Sequence, residues 1–229
     1  MSLQFNRIPT GISSLDNLLG GGFHAQALNL IYGEATTGKT TLSLTTVFHH
    51  LKQSPSAHAV YLDIDDKLNV TRFQQIAQSQ GRNLLPRISL FTPKSFSMQS
   101  DALEQLPELE TGDILVVDSI TGLYRGETED AETTYKANKE LNRQLGYLTE
   151  IARTDGVTML LTGQVRSVLD TRHVEPVAQR LLKYWSEIIL RLEKTIQPSN
   201  RHAILEKPEE NKTPIILTIN EHGITEEPR

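Results

Sequence analysis

Short apolar runs alternate along this chain with longer segments in which apolar residues recur at helical spacing. The short runs are typical of buried strands, and the spacing of three and four is typical of amphipathic helices. The predicted strands are 27–32, 59–62, 88–91, 114–118 and 157–161. The predicted helices are the segment with Leu44, Val47, Phe48 and Leu51, and then 68–77, 98–106 and 133–152. This order predicts an α/β fold, a mainly parallel central sheet with helices on both faces.

Three further strand-like runs, 188–192, 202–205 and 215–219, follow near the C-terminal end and are separated by short turns. Connections of this kind suit antiparallel neighbours, so we expect antiparallel strands added at one edge of the sheet. A length of 229 residues is sufficient for one large core, and no linker of biased composition divides it. We therefore expect residues 1–229 to form a single domain.

The segment between the first predicted strand and the following helix is Gly33-Glu34-Ala35-Thr36-Thr37-Gly38-Lys39-Thr40, which fits the phosphate-loop pattern G-x-x-x-x-G-K-[ST]. In such loops backbone N–H groups and the helix start face the phosphates. We expect Lys39 to reach the β- and γ-phosphates and Thr40 to bind Mg²⁺. The predicted nucleotide contacts are Gly33, Glu34, Ala35, Thr36, Thr37, Gly38, Lys39, Thr40 and Thr41. The alternative is an ordinary glycine-rich turn.

Three polar residues at strand ends are candidates for the chemistry of this site. Asp118 ends an apolar run downstream of the loop, which is the position of the carboxylate that holds Mg²⁺ in such proteins. Asp65 follows the second strand and is the best candidate for positioning the attacking water, with Asp63 second. The alternative for both is an aspartate that caps a turn. Gln164 could contact the γ-phosphate, or it could make an ordinary hydrogen bond at a strand end.

Composition narrows the choice of partners. The net charge is −5, so contact with nucleic acid would have to come from a local basic patch. Arg166, Arg172 and Arg180 follow Gln164 and are predicted to bind DNA phosphates, although a solvated loop of mixed charge is the alternative. The chain has no cysteine and no apolar run long enough to span a membrane. We expect a cytoplasmic protein.

Several segments together resemble the core of the RecA/RadA recombinases, and most closely the short archaeal paralogues of RadA. These are the segment 9–23, the phosphate loop, Val116-Val117-Asp118-Ser119-Ile120-Thr121, Gly163-Gln164-Val165 and the ending 217–224. The resemblance implies a RecA-like ATPase that binds ATP and Mg²⁺ and acts in DNA repair. It implies single-stranded or branched DNA and a RadA-type recombinase as partners, and it leaves self-association open. Arg72 matches an arginine that stacks on adenine in relatives, with a surface ion pair as the alternative.

The chain also departs from the RadA pattern. We expect no N-terminal helical DNA-binding domain, because the resemblance to the ATPase core begins near Ile8, and we find no Phe-x-x-Ala subunit motif in the sequence. Asp65 stands where relatives have Glu, and Gly163 where they have Asn. A carboxylate that is one methylene shorter positions water poorly, so we expect weak ATP hydrolysis and a role that assists the main recombinase without strand exchange. The alternatives are a KaiC-like regulatory ATPase that acts on proteins, which the acidic stretch after Asp118 favours, and a ring-type helicase core.

Overall fold

The computed structural model describes residues 7–66, 68–128, 130–167, 174–208 and 213–226. Its strands are β1 (Arg7–Ile8), β2 (Phe23–His24), β3 (Leu28–Gly33), β4 (Ala59–Asp63), β5 (Ile88–Phe91), β6 (Ile114–Asp118), β7 (Thr158–Gly163), β8 (Val165–Ser167), β9 (Val174–Pro176), β10 (Ser186–Lys194), β11 (Asn200–Lys207), β12 (Ile215–Asn220) and β13 (Gly223–Glu226). Its α-helices are α1 (Ser13–Leu19), α2 (Lys39–Gln53), α3 (Val70–Gln80), α4 (Phe96–Glu104), α5 (Ala131–Thr154) and α6 (Gln179–Trp185).

One sheet of nine strands, in the order β13-β12-β11-β10-β3-β7-β6-β4-β5, organises the fold. The strands from β10 to β5 in this order pair in parallel, and β11, β12 and β13 continue the sheet antiparallel. The predicted α/β class and the antiparallel additions are confirmed. The strand predicted at 188–192 differs, because β10 lies parallel to β3. α6 precedes β10 and returns the chain to the edge where the parallel strands begin, so β10 runs in the same direction as β3.

Apolar side chains form separate cores on the two faces of the sheet, as the predicted helices on both faces require. Ile31 of β3 packs with α1, α2 and α3 on one face, whereas its neighbours Leu30 and Tyr32 face α4, α5 and α6 on the other. This alternation follows from the two-residue period of a strand. Because both faces are covered, β3, β4, β6 and β7 are buried along their whole length.

The carboxyl ends of neighbouring parallel strands bring the sequence candidates to one edge of the sheet. β3 ends at Gly33, β7 at Gly163, β6 at Asp118 and β4 at Asp63, and these strands are adjacent in that order. Ligands of open parallel sheets bind outside this edge. The phosphate loop and the polar residues that follow β4, β6 and β7 therefore share one location.

A glycine triplet ends α1 and turns the chain back to β2. Gly20 has a φ of 72° and its N–H bonds to the carbonyl of Asn17, so the helix ends there as a left-handed cap. A Cβ on Gly20 would have its nearest neighbour at 3.9 Å, in the Arg7 side chain. Gly22 has a φ of 124°, and a Cβ there would lie 2.1 Å from the carbonyl oxygen of Ile8.

We predict that Gly22→Ala destabilises the protein more than the matched variant Gly20→Ala. Gly20→Ala should cost about 1 kcal/mol, the penalty of a left-handed residue with a side chain. Gly22→Ala should cost roughly 3 kcal/mol, since backbone strain and a backbone clash act together. Urea unfolding of the two variants measures the difference, and equal midpoints would contradict the geometry of this turn.

Candidate functional site

The phosphate loop joins β3 to α2 in the backbone geometry that its glycines allow. Gly38 has a φ of 95° and precedes the first residue of α2. A Cβ on Gly38 would lie 2.6 Å from Cδ1 of Ile219, and one on Gly33 would lie 2.3 Å from the carbonyl oxygen of Leu192. The strands β10 and β12 therefore press against the loop, and only glycine fits at these two positions.

Lys39 begins α2 and its side chain lies along the loop. The ammonium donates to the carbonyls of Gly33 at 2.9 Å and Glu34 at 2.8 Å. Within the loop, the Thr37 hydroxyl donates to the carbonyl of Glu34 at 2.9 Å. Thr41, the last predicted nucleotide contact, is a buried residue of α2, and its carbonyl accepts from the Thr45 hydroxyl. The structure thus brings Lys39 to the loop and buries Thr41 in the helix.

A cluster of hydroxyls surrounds the buried carboxylate of Asp118. Oδ2 accepts from the Thr40 hydroxyl at 2.5 Å and from the Tyr61 hydroxyl at 2.7 Å, and Oδ1 accepts from the Thr162 hydroxyl. Burial, and then the charge of Asp118, raises the pKa of Tyr61 well above its ordinary value, so the phenol stays a donor. The structure brings the predicted pair Thr40 and Asp118 together. Sequence reasoning missed Tyr61 and Thr162.

The donor set of this cluster suits Mg²⁺. Carboxylate and hydroxyl oxygens are hard ligands of the type that Mg²⁺ prefers, and Mg²⁺ in nucleotide sites takes only a few protein ligands. Thr40 and Asp118 are the residues that would hold the ion, beside the loop that would hold the phosphates. The residues present therefore fit an ATP·Mg²⁺ site.

Asp65 and Gln164 contact each other directly, which sequence reasoning did not predict. The Gln164 amide nitrogen lies 3.0 Å from Oδ1 and 2.9 Å from Oδ2 of Asp65, and the Ser119 hydroxyl donates to Oδ1 at 3.1 Å. Gly122 makes room for this carboxylate, since a Cβ there would lie 2.0 Å from Oδ1. Asp63, the second candidate for water positioning, is buried and accepts from the N–H of Leu68 at 2.9 Å, as a turn-capping aspartate does.

Gln164 also forms the base of the hairpin made by β8 and β9. Its carbonyl accepts from the N–H of Val177 at 2.9 Å. Arg166, on β8, is exposed and lies 3.8 Å from the carboxylate of Glu175 on β9. Arg180 is exposed near the start of α6, and Arg172 lies outside the described residues. The two predicted DNA contacts that the structure describes, Arg166 and Arg180, are therefore both on the surface, and Arg166 lies two residues after Gln164.

Arg72 is held by the C-terminal hairpin. Its guanidinium donates to the carbonyl of Gly223 on β13 at 3.0 Å, and burial lowers its pKa. The same end of the sheet supplies a further contact that sequence reasoning missed. Arg201 of β11 is buried and donates to the carbonyl of Thr36 in the phosphate loop at 3.1 Å.

The strand order, the phosphate loop and the Asp118 cluster define the chain as a RecA-like P-loop protein. The chain belongs to the Rad51 family, whose model matches residues 3–227. It is 33% identical over 192 residues to the DNA repair and recombination protein RadB of Methanococcoides burtonii, covering 83% of this chain and 84% of that protein. It is 37% identical over 205 residues to RadB of Thermococcus kodakarensis, covering 87% and 89%.

A solved structure, the crystal structure of the RadB recombinase, superposes with a TM-score of 0.80 at 32% identity, covering 96% of this chain and all of that one. The resemblance to RecA/RadA recombinases and to the archaeal RadA paralogues is confirmed. Proteins of this family are ATPases that bind ATP with Mg²⁺, and its RadB members are DNA repair and recombination proteins. Among the described residues, no helix has the length and apolarity that crossing a membrane requires.

We predict that Tyr61→Phe raises the Mg²⁺ concentration needed for half-maximal nucleotide binding about tenfold. Loss of a group that orients a metal ligand has an effect of this size. The phenol donates to Asp118, and without it the carboxylate is less firmly oriented. Titration of Mg²⁺ in the presence of ADP measures the effect. Tyr32→Phe is the matched control, because that hydroxyl donates to Glu206. Unchanged Mg²⁺ dependence in both variants would contradict the role of Tyr61.

Proposed function

We propose that this protein binds ATP and DNA, hydrolyses ATP slowly, and assists a RadA-type recombinase in homologous recombination without itself promoting strand exchange. The observation that carries the proposal is the contact between Asp65 and Gln164. It joins a carboxylate near the phosphate loop to the base of a hairpin that carries an exposed arginine. The Rad51 family membership and the RadB relatives support the setting in DNA repair and recombination.

In this proposal the loop amides and Lys39 bind the phosphates, and Thr40 and Asp118 hold Mg²⁺. The metal, when bound, neutralises charge on the β- and γ-phosphates. Asp65 orients the attacking water and Gln164 responds to the γ-phosphate. Arg72 lies beside the C-terminal hairpin, where its guanidinium would stack on the adenine ring of ATP. These roles use the side chains in the positions described above.

Slow hydrolysis follows from the state of Asp65. Its carboxylate already accepts hydrogen bonds from Gln164 and Ser119, so fewer of its lone pairs remain for a water. Asp65 is also one methylene shorter than the Glu of relatives, and a shift of about 1 Å in the position of the attacking water costs on the order of a hundredfold in rate. Binding of ATP, more than its turnover, would then control the hairpin. We further propose that the chain is a single ATPase domain and acts in the cytoplasm. Other repair proteins are further partners, and self-association is left open.

We predict that Asp65→Glu raises ATP turnover at least several-fold, because it restores the side-chain length that the RadA relatives have at this position. Asp63→Glu is the matched control and should give no increase, since Asp63 caps the N–H of Leu68. Steady-state phosphate release measures both. If turnover stays flat in Asp65→Glu while Lys39→Ala abolishes nucleotide binding, Asp65 does not position water.

We predict that Arg166→Ala and Arg180→Ala weaken binding of single-stranded DNA in the presence of a non-hydrolysable ATP analogue. Each lost phosphate contact should reduce the salt slope of log K by about 0.7. Arg172→Ala belongs in the same series. Lys136→Ala is the control, an exposed cation on α5 that pairs with Glu132. Titrations across salt measure the slopes.

Absence of DNA binding at low salt, or binding that none of these arginines affects, would contradict the proposed DNA role. Phosphate transfer to the protein's own serine or threonine residues without any DNA effect would instead favour the regulatory ATPase. Co-purification with the host's RadA-type recombinase, with and without ATP, tests the accessory role.

A further inference from the structure

We propose that Arg201 is a positioning residue for the phosphate loop, acting on the nucleotide through the backbone of Thr36 and Thr37. The inference rests on the proposed binding of ATP. Arg201 lies on β11, far from the loop in sequence, and pairs there with Leu217 of β12 and Lys194 of β10. Its side chain is buried, with 8% of its surface exposed.

The guanidinium is shared between a strand turn and the loop. One terminal nitrogen, Nη1, donates to the carbonyls of Pro198 at 2.7 Å and Asn200 at 2.6 Å. The other, Nη2, donates to the carbonyl of Thr36 at 3.1 Å. No atom among the described residues accepts from the buried Nε. Burying a charge with one unused donor costs free energy, and the two hydrogen bonds to the turn compensate only part of that cost. We therefore look for a role of the third hydrogen bond, the one to the loop.

Thr36 is the residue of the loop that most needs support. Its φ is 66°, a left-handed conformation that is a genuine outlier for a β-branched residue. The peptide that follows it is planar and trans, so its C=O and its N–H point in opposite directions. With the Thr36 carbonyl turned toward Arg201, the Thr37 N–H points the opposite way, toward the Glu34 carbonyl at 3.4 Å, and the side of the loop that it faces is called here the inner side.

The N–H groups of a phosphate loop bind the phosphates from that inner side. Arg201 therefore fixes the direction of one donor without touching the nucleotide. Lysine at this position would keep the charge, but as a compact ammonium it lacks the planar fork that reaches the turn and the loop together. Arg201→Lys therefore separates two contributions to nucleotide affinity, the buried charge and the fixed direction of the guanidinium donors.

The experiment compares ADP affinity by calorimetry, turnover at saturating ATP and melting temperature in Arg201→Gln and Arg201→Lys. We expect ADP affinity to fall about tenfold in Arg201→Gln, the size of a lost charged hydrogen bond, and at least threefold in Arg201→Lys, with turnover at saturation within twofold of the parent. Lys194→Ala is the control, a cation whose ammonium lies 3.8 Å from the Glu34 carboxylate and so pairs with a side chain of the loop, and it should leave ADP affinity unchanged.

A purely structural role would lower the melting temperature of both Arg201 variants while ADP affinity stays within twofold, and that result overturns the proposal. Arg201→Lys alone decides the question if Arg201→Gln does not fold. Measurements on the parent protein and on Lys39→Ala distinguish the proposed ATP binding from the proposed role of Arg201. If the parent binds no nucleotide, the proposed function fails, whereas binding that is lost in Lys39→Ala and unaffected in Arg201→Lys refutes only the role of Arg201.

Discussion

The carboxylate of Asp118 is buried where the sheet meets the start of α2. A carboxylate removed from water is unfavourable unless other donors replace the lost hydrogen bonds. Here the hydroxyls of Thr40, Tyr61 and Thr162 replace them, and they come from α2, β4 and β7. The first turn of α2, and the phosphate loop with it, is therefore tied to the neighbouring strands through one side chain. The contacts proposed for the phosphates and for Mg²⁺ depend on this connection between α2 and the strands.

A second set of contacts supports the loop from the opposite side, and it comes from the last strands of the chain. Ile219 of β12 packs against Gly38, and the carbonyl of Leu192 on β10 packs against Gly33. Arg72 bonds to Gly223 of β13. β10, β12 and β13 are therefore more than an extension of the sheet, because they form one wall of the site. A side chain at either glycine would push the loop away from that wall.

The sequence was sufficient for features that depend on local patterns. Strand β6 was predicted with its exact bounds, since a continuous apolar run that ends in Asp118 leaves little choice. The short strands β1, β2, β8 and β9 were missed, because two or three residues show no period. Tyr61 and Arg201 were missed for another reason. Each contacts a site residue that is distant in sequence, and nothing local distinguishes them from an ordinary strand residue.

Gln164 has two sets of neighbours, and this has a thermodynamic consequence. Its side chain bonds to Asp65 and its carbonyl closes the hairpin of Arg166. A ligand that draws the amide away from Asp65 changes the strand end from which the hairpin starts. Because linkage is reciprocal, a ligand that shifts the hairpin must change affinity at the phosphate loop by the same factor. If DNA binds at Arg166 as proposed, its phosphate would have to displace the carboxylate of Glu175, which lies 3.8 Å from the guanidinium.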